Sequence, residues 1–398
     1  MTIFQMHLAE EDDECNVEIE NIGEGKLIWV PSVFKKLKKG EELKKANIKY
    51  LIKKVGIKTF IGNYVKYYKH RFIDNDAFHY CTYYISNQKI LEVIDKHNLD
   101  LLVFHWISPD SQEIVQKSIT KNIPFVVVNH FDNGRLKIKS VRRQISQAAA
   151  FAGVSNINVP SYLSNKKFTN VSDGVDTEFF KPENTRRLKI ECKEPFVFLP
   201  SRITPNKGHL DVVRAVSLLK KSEIRPMIVF AGQHESTEFL EKLRSSIKDL
   251  GMNHDVMFVG RRSLDDLRDW YAASALVVLP SYSEGLGRVL LEAQAMKKPV
   301  VAYDVGGVSE AIKVGKTGYT VRKGDVRGLS ARIQELLTDD KKRIQMGECG
   351  RSFVQSEFSL LKLARRHEDF YLDVLLNAGS KRKSHESQFP TGLEIFES

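Results

Sequence analysis

A chain of 398 residues with 42% hydrophobic side chains has an ordinary globular composition and is long enough for two domains. Its formal net charge is +11, yet no apolar stretch reaches the length of a bilayer span, and the acidic run from Glu10 to Glu14 is unlike a secretory signal. Cys15, Cys81, Cys192 and Cys349 follow no Cys-x-x-Cys spacing, which argues for reduced thiols in a cytoplasmic protein and against a zinc site or a disulfide framework.

Residues 1–30 offer only Gly23-Glu24-Gly25, with no clear strand–glycine–helix pattern. The charge is concentrated in the next segment. From Lys26 to Phe72 there are fourteen Lys or Arg against two Glu, a local excess larger than that of the whole chain. Lys35, Lys36, Lys38 and Lys39, and the run from Ile48 to Val55, mix basic with apolar residues, a pattern that suits an anionic membrane surface. Nine aromatics fall between Phe60 and Tyr84. A solvated basic helix beside a packed aromatic cluster fits the same pattern. Nucleic acid would also accept lysines and aromatics, but no nucleic-acid fold motif accompanies them, so it ranks last.

Residues 101–104 and 125–128 read as parallel strands, ending at His105 and at Asn129-His130, with a helix over 110–120 between them. A lone histidine at a strand end is as readily structural as ligand-binding. Further on, Asp173-Gly174-Val175-Asp176 has turn chemistry. The polar, proline-containing stretch after Phe180 places a domain boundary near 180–195.

The second half alternates strand and helix. Strands are predicted over 196–200, 227–231, 256–259, 275–280 and 299–302, and helical spacing follows most of them. This alternation predicts a parallel sheet of βα units. Arg202 and Lys207 flank a turn after the first of these strands, where two cations can neutralise a diphosphate. After the strand ending at Pro280, Glu284 lies in a strand-to-helix loop with Gly285 and Gly287. Glu292 follows with seven residues between them, one or two turns into the helix. Glycines let a ligand approach the backbone, and a helix start offers free N–H groups to an anion. On spacing alone, a surface loop with two solvated glutamates fits as well.

Five ordered blocks shift that balance. Arg202 with Lys207-Gly208, then Phe258-Val259-Gly260, Pro280-Ser281-Tyr282-Ser283-Glu284-Gly285, Glu292-Ala293, and Pro299-Val300-Val301-Ala302 with Gly306-Gly307 and Glu310 resemble retaining, nucleotide-sugar-dependent GT-B glycosyltransferases of family four, the glycosyl transferases group 1. The resemblance covers roughly 195–325. It implies an α/β fold of two Rossmann-like domains facing across a cleft. The N-terminal acceptor-side domain would span 1–180 with an atypical start, and the nucleotide-sugar domain 190–353. A crossover helix over 354–378 would return to the first domain, and 379–398 would form a disordered tail.

The resemblance also implies roles. Arg202 and Lys207 hold the diphosphate, Glu284 contacts the donor sugar, and His130 touches it from the first domain. Glu292 accepts from both ribose hydroxyls. Gly285, Leu286 and Gly287 lend backbone, while Gly260 and Arg261 lie beside the base. No metal is required, and the donor is a nucleoside-diphosphate sugar, with UDP ranked ahead of GDP. The acceptor is a glycan, a lipid-linked or another molecule, in polysaccharide or glycoconjugate biosynthesis, with the protein peripheral on the inner face of the membrane. The configuration at the anomeric carbon is retained. Two rivals share the architecture: a nucleotide-sugar epimerase and a non-catalytic binding or scaffold protein.

Overall fold

The computed structural model describes residues 2–9, 18–22, 25–36, 80–82, 87–96, 99–105, 107–129, 136–156, 159, 163, 168–186, 195–221 and 226–383. They fall in two compact units. One comprises Met1–Val128, Lys137–Ala150 and Leu375–Ser398, the other Asn129–Leu136 and Phe151–Val374.

The first unit holds strands β1 (Thr2–Ala9), β2 (Glu18–Ile22), β3 (Gly25–Lys36), β4 (Tyr80–Thr82), β5 (Leu101–His105) and β6 (Phe125–Asn129). The order β2-β3-β1-β5-β6 is parallel from β3 to β6, while β2 and β4 run antiparallel to β3. The sequence reading found no strand–glycine–helix pattern here, and the structure supplies the strand. Phe4, Met6 and Leu8 alternate with Gln5 and His7, the period of a strand, but an acidic run follows in place of the expected glycine loop. Lys35 and Lys36 close β3, in register with Cys81 and Tyr80 of β4. Residues 37–79, with most of the basic and aromatic run, lie outside the described residues, as does His130.

β5 and β6 are buried along their whole length. That is why they read as continuous apolar runs and not as alternating ones. Helices α1 (Asn87–Lys96), α2 (Gln112–Thr120) and α3 (Lys139–Gln147) bury Ile90 and Ile94, Ile114 and Val115, and Val141 and Ile145, respectively. In α1 and α3 the pairs stand one turn apart, on one stripe of the helix.

β7 (Ala150–Gly153) leads into the second unit and pairs in parallel with β8 (Phe168–Asn170). The turn falls just after the segment expected to form it, over 177–179, where Asp176 Oδ1 accepts from the backbone N–H groups of Glu178 (3.0 Å) and Phe179 (2.8 Å). The left-handed residue in this stretch is Ser172 (φ 57°). The buried Arg351 guanidinium anchors the following segment, donating to the carbonyls of Phe180 (3.0 Å), Ala295 (2.6 Å) and Thr177 (3.3 Å).

The main sheet of this unit contains β9 (Phe196–Pro200), β10 (Met227–Ala231), β11 (Val256–Phe258), β12 (Leu276–Leu279), β13 (Val300–Tyr303) and β14 (Gly318–Val321). Its order is β11-β10-β9-β12-β13-β14, and every neighbouring pair is parallel. Between the strands run α4 (His209–Ser217), α5 (Thr237–Asp249), α6 (Leu264–Ala273), α7 (Arg288–Ala295) and the short α8 (Val308–Ala311). Beyond the sheet come α9 (Val326–Thr338), α10 (Asp340–Glu357) and α11 (Leu360–Lys383).

The single helix expected over 354–378 is therefore two. The break has a cause: Val175 N–H donates to Phe358 O (2.8 Å), and Val175 bridges to Ser359, so strand-like backbone interrupts the helical ladder. Helix α11 continues to Lys383, into the stretch read as tail. Among the described residues no helix is long and apolar enough to cross a membrane.

Candidate active site at the sheet switch point

In the second unit the chain moves from β9 out to β11, then returns to place β12 on the other side of β9. The loops leaving the carboxyl ends of β9 and β12 therefore diverge, and open parallel sheets bind ligands in the crevice between such loops. The first loop carries Arg202 and Lys207, the second Glu284 through Gly287.

The two loops are tied together through their backbones. Tyr282 N–H donates to Asn206 O (2.8 Å), and the Asn206 side-chain amide reaches Ser283 O (3.4 Å). Gly208 sits between them with φ 72°, and a Cβ there would lie 2.0 Å from Pro280 O. Only glycine permits both that dihedral and that approach. Tyr282 is further held by its hydroxyl, which donates to Asp211 Oδ2 (2.7 Å) in the first turn of α4. Tyr303, at the end of β13, donates to the same oxygen (2.8 Å). The Asp211 carboxylate and burial push both phenols above their ordinary pKa.

This scaffold brings Lys207 Nζ to 2.5 Å from Glu284 Oε1, with both side chains largely sheltered from solvent. The sequence reading gave them separate ligand atoms; in the structure they face each other. Arg202 goes elsewhere. Its guanidinium pairs with Glu235 in the loop after β10 and is 65% exposed. The loops after β9 and β10 are zipped at this point, with Ile203 N–H donating to Gln233 O (2.8 Å).

Gly287 is the N-cap of α7, at φ 85°, so the free N–H groups of that helix start directly after the Glu284 loop. Leu286 is buried, and Gly285 O accepts from Gly307 N–H (2.8 Å), which fixes the loop against the start of α8. One turn into α7, Glu292 accepts a hydrogen bond at Oε2 from the Tyr271 hydroxyl (2.7 Å). Burial raises the Glu292 pKa above the ordinary carboxylate value, against the opposing pull of Tyr271 and Arg288. Gly260, at φ 70°, and the exposed Arg261 lie after β11, at the far edge of the sheet from β12. In the first unit His105 is buried at the end of β5.

Sequence reasoning missed four residues here: Glu235, Asp211, Tyr271 and Tyr303. Each lies on a different element from its partner, and no local spacing marks it. Glu310 was quoted only as part of a motif. Its carboxylate collects Ser155 Oγ (2.7 Å), Asn156 N–H (2.8 Å), Asn156 Nδ2 (3.2 Å) and Asn170 Nδ2 (3.0 Å). Among the described residues no group of three or more His, Cys, Asp or Glu side chains is gathered as metal ligands.

A doubly wound parallel sheet with a lysine, a carboxylate and a helix start at its switch point defines a nucleotide-binding α/β domain. Comparison with known proteins narrows the class. The profile described as "Glycosyl transferases group 1" matches residues 180–353. The N-acetyl-alpha-D-glucosaminyl L-malate synthase of Bacillus anthracis is 29% identical over 303 residues, 72% of this chain and 78% of that protein. A GDP-mannose-dependent alpha-(1-6)-phosphatidylinositol monomannoside mannosyltransferase of Mycobacterium tuberculosis is 31% identical over 209 residues, 50% of this chain and 54% of that one. The chain thus spans about half the length of this relative. Among solved structures, a glycosyltransferase from Rickettsia africae superposes with a TM-score of 0.62 at 24% identity, covering 73% of this chain and 80% of that one. Anabaena Alr3699/HepE in complex with UDP gives 0.63 at 20%, covering 72% and 81%. These two likenesses show the fold, the GT-B architecture of two Rossmann-like domains. Residues 180–353 thus resemble the glycosyl transferases group 1, and both relatives are named for glycosyl transfer or synthesis.

Proposed function

We propose that this enzyme transfers a sugar, with retention at the anomeric carbon and without a metal, from a nucleoside-diphosphate sugar to a glycan, lipid-linked or other acceptor. The observation that carries the reading is the meeting of Lys207 and Glu284 at the switch point, directly before the free N-terminus of α7. Lys207 releases Glu284 when a diphosphate arrives, and with Arg202 it neutralises the charge that builds on the leaving group. The N–H groups after Gly287 add to this. Glu284, freed, accepts from hydroxyls of the donor sugar beside the backbone of Gly285 and Leu286. Glu292 receives the ribose hydroxyls, with Gly260 and Arg261 on the base side. His130, outside the described residues, remains a proposed contact to the donor sugar.

UDP is the favoured carrier. Anabaena HepE was solved with UDP and with UDP-glucose, while the mycobacterial relative is named for GDP-mannose. The test is to incubate the pure chain with a panel of UDP and GDP sugars and to follow nucleoside diphosphate release in the presence of candidate acceptors. Release with none of them would overturn the reading.

We also propose that residues 26–72 bring the enzyme to an anionic membrane surface on the cytoplasmic side. The support is the +12 local charge of that segment and the attraction of about 1 kcal/mol per basic residue near such a surface. Reversing Lys35, Lys36, Lys38 and Lys39 to Glu should abolish sedimentation with anionic liposomes at low salt while nucleotide affinity is kept. Wild-type protein that stays in the supernatant would refute it.

A further inference from the structure

The ring of Tyr271 is completely buried in α6, yet its hydroxyl is spent on one acceptor, Oε2 of Glu292 on α7. The ring cannot turn away. It stands edge-on between Phe198 of β9 (5.4 Å between centroids) and Phe180 (5.9 Å). The helix that carries it is itself tethered: Arg186 donates from its backbone N–H (3.1 Å) and from Nε (2.8 Å) to the buried Asp269 carboxylate. Arg186 also reaches Asp266 (3.1 Å), one turn earlier in α6. Glu292 receives no other protein side-chain or backbone donor among the described residues. A half-buried carboxylate with one oxygen committed is held in orientation and has one oxygen left to offer.

We propose that Tyr271 is a positioning residue for nucleotide recognition, a phenol that never touches the ligand but fixes the Glu292 carboxylate in the orientation that receives the ribose hydroxyls. The proposal rests on the reading of Glu292 as the ribose acceptor, and it adds the device that makes this acceptor selective. Without the phenol, Glu292 loses its one side-chain hydrogen-bond partner among the described residues. It then turns among rotamers, and its second oxygen no longer meets the ribose in one place. Its ionisation moves as well. The titratable and charged groups facing it are Tyr271 and Arg288, and both favour the charged form against burial. Removing the phenol therefore raises the pH at which Glu292 takes up a proton.

The experiment uses the full chain as wild type, Tyr271→Phe and Glu292→Ala. UDP and GDP are titrated calorimetrically, alongside their 2′,3′-dideoxy counterparts, from pH 5 to 8. Wild type should prefer the ribonucleotide. Tyr271→Phe should lose about tenfold in ribonucleotide affinity, the size of one hydrogen bond to a charged group, with the dideoxy nucleotide nearly unaffected. The acid limb of its binding curve should move to higher pH. Equal weakening toward both nucleotides, with no shift of the acid limb, would mark a merely structural tyrosine and overturn the proposal. A variant that matches wild type on every ligand would overturn it too. Wild type that binds both nucleotides equally would instead remove the ribose reading of Glu292, and the positioning role with it.

Discussion

The two units treat their strand ends differently. In the second, all six strands of the main sheet are parallel, and the loops at the switch point are stapled by backbone contacts. In the first, β3 is flanked antiparallel by β2 and β4, and the chain between β3 and β4 runs from residue 37 to 79. A parallel connection must cross back over the sheet, usually through a helix, so its ligand-facing end is set by topology. An antiparallel flank frees the chain from that return. The difference teaches where to look for each half of the reaction. The proposed nucleotide site is confined to a few anchored residues of the second unit, and the proposed acceptor side is to be sought in the first.

The comparison breaks first at Lys207. If the anchored loops of the second unit hold the donor, Lys207→Ala should lower turnover by on the order of 10²-fold or more, as loss of a charge-stabilising group does. Nucleoside diphosphate release under saturating donor measures it. Activity that survives unchanged would mean that the Lys207–Glu284 pair is structural. The same assay in EDTA sharpens the point: turnover should persist, and a loss restored by manganese would show that cations of the chain do not suffice.

A division between the two carboxylates is the next largest effect. Glu292→Ala should weaken nucleotide binding by roughly 1.5–3 kcal/mol, the worth of charge-assisted hydrogen bonds. Glu284→Ala should leave nucleoside diphosphate affinity nearly intact and reduce turnover. Calorimetry against steady-state kinetics separates them, and equal loss of affinity in both variants would sink the division.

Much of this site could be read from the chain itself, for a physical reason. β9, β10 and β12 are buried on every side but for the first residue of β10. Their sequences are therefore unbroken apolar runs, and Pro200, Gly232 and Pro280 mark where each one stops. The loop residues that follow are polar, as the proposed contacts to a charged donor require. What stayed hidden are partners supplied by other elements. Tyr271 meets Glu292 only because α6 and α7 flank the same strand, β12. Glu235 meets Arg202 only because β10 lies beside β9. The break at Phe358 was hidden for the same reason, since its cause is Val175, far upstream. In the first unit the missing cue was a glycine loop after β1, and its absence concealed a strand whose alternation was present.

The smallest expected effect on catalysis, and a measurable one on stability, lies at His209. This residue opens α4 immediately after Lys207-Gly208, is fully buried, and packs edge-on against Phe230 with 4.8 Å between centroids. Burial, assisted by the charge of Lys207, lowers its pKa from 6.5 to about 3. The unfolded chain therefore binds a proton between those two values that the folded chain refuses. Stability contributed by the neutral ring is fully present above about pH 6.5 and drains away as the pH falls toward 3. Between pH 7 and 5 this linkage amounts to roughly 2 kcal/mol. Carboxylates such as Glu335, held down at about 2 by Lys342, Tyr319 and Arg332, act lower in the pH range and do not interfere. Urea unfolding of wild type and His209→Leu at pH 7 and pH 5 isolates the histidine, because every other titrating group is shared. The wild type should lose more stability across that interval than the variant. Parallel losses would mean that His209 takes up its proton without unfolding, and that the turn holding Lys207 opens to water more readily than its burial implies.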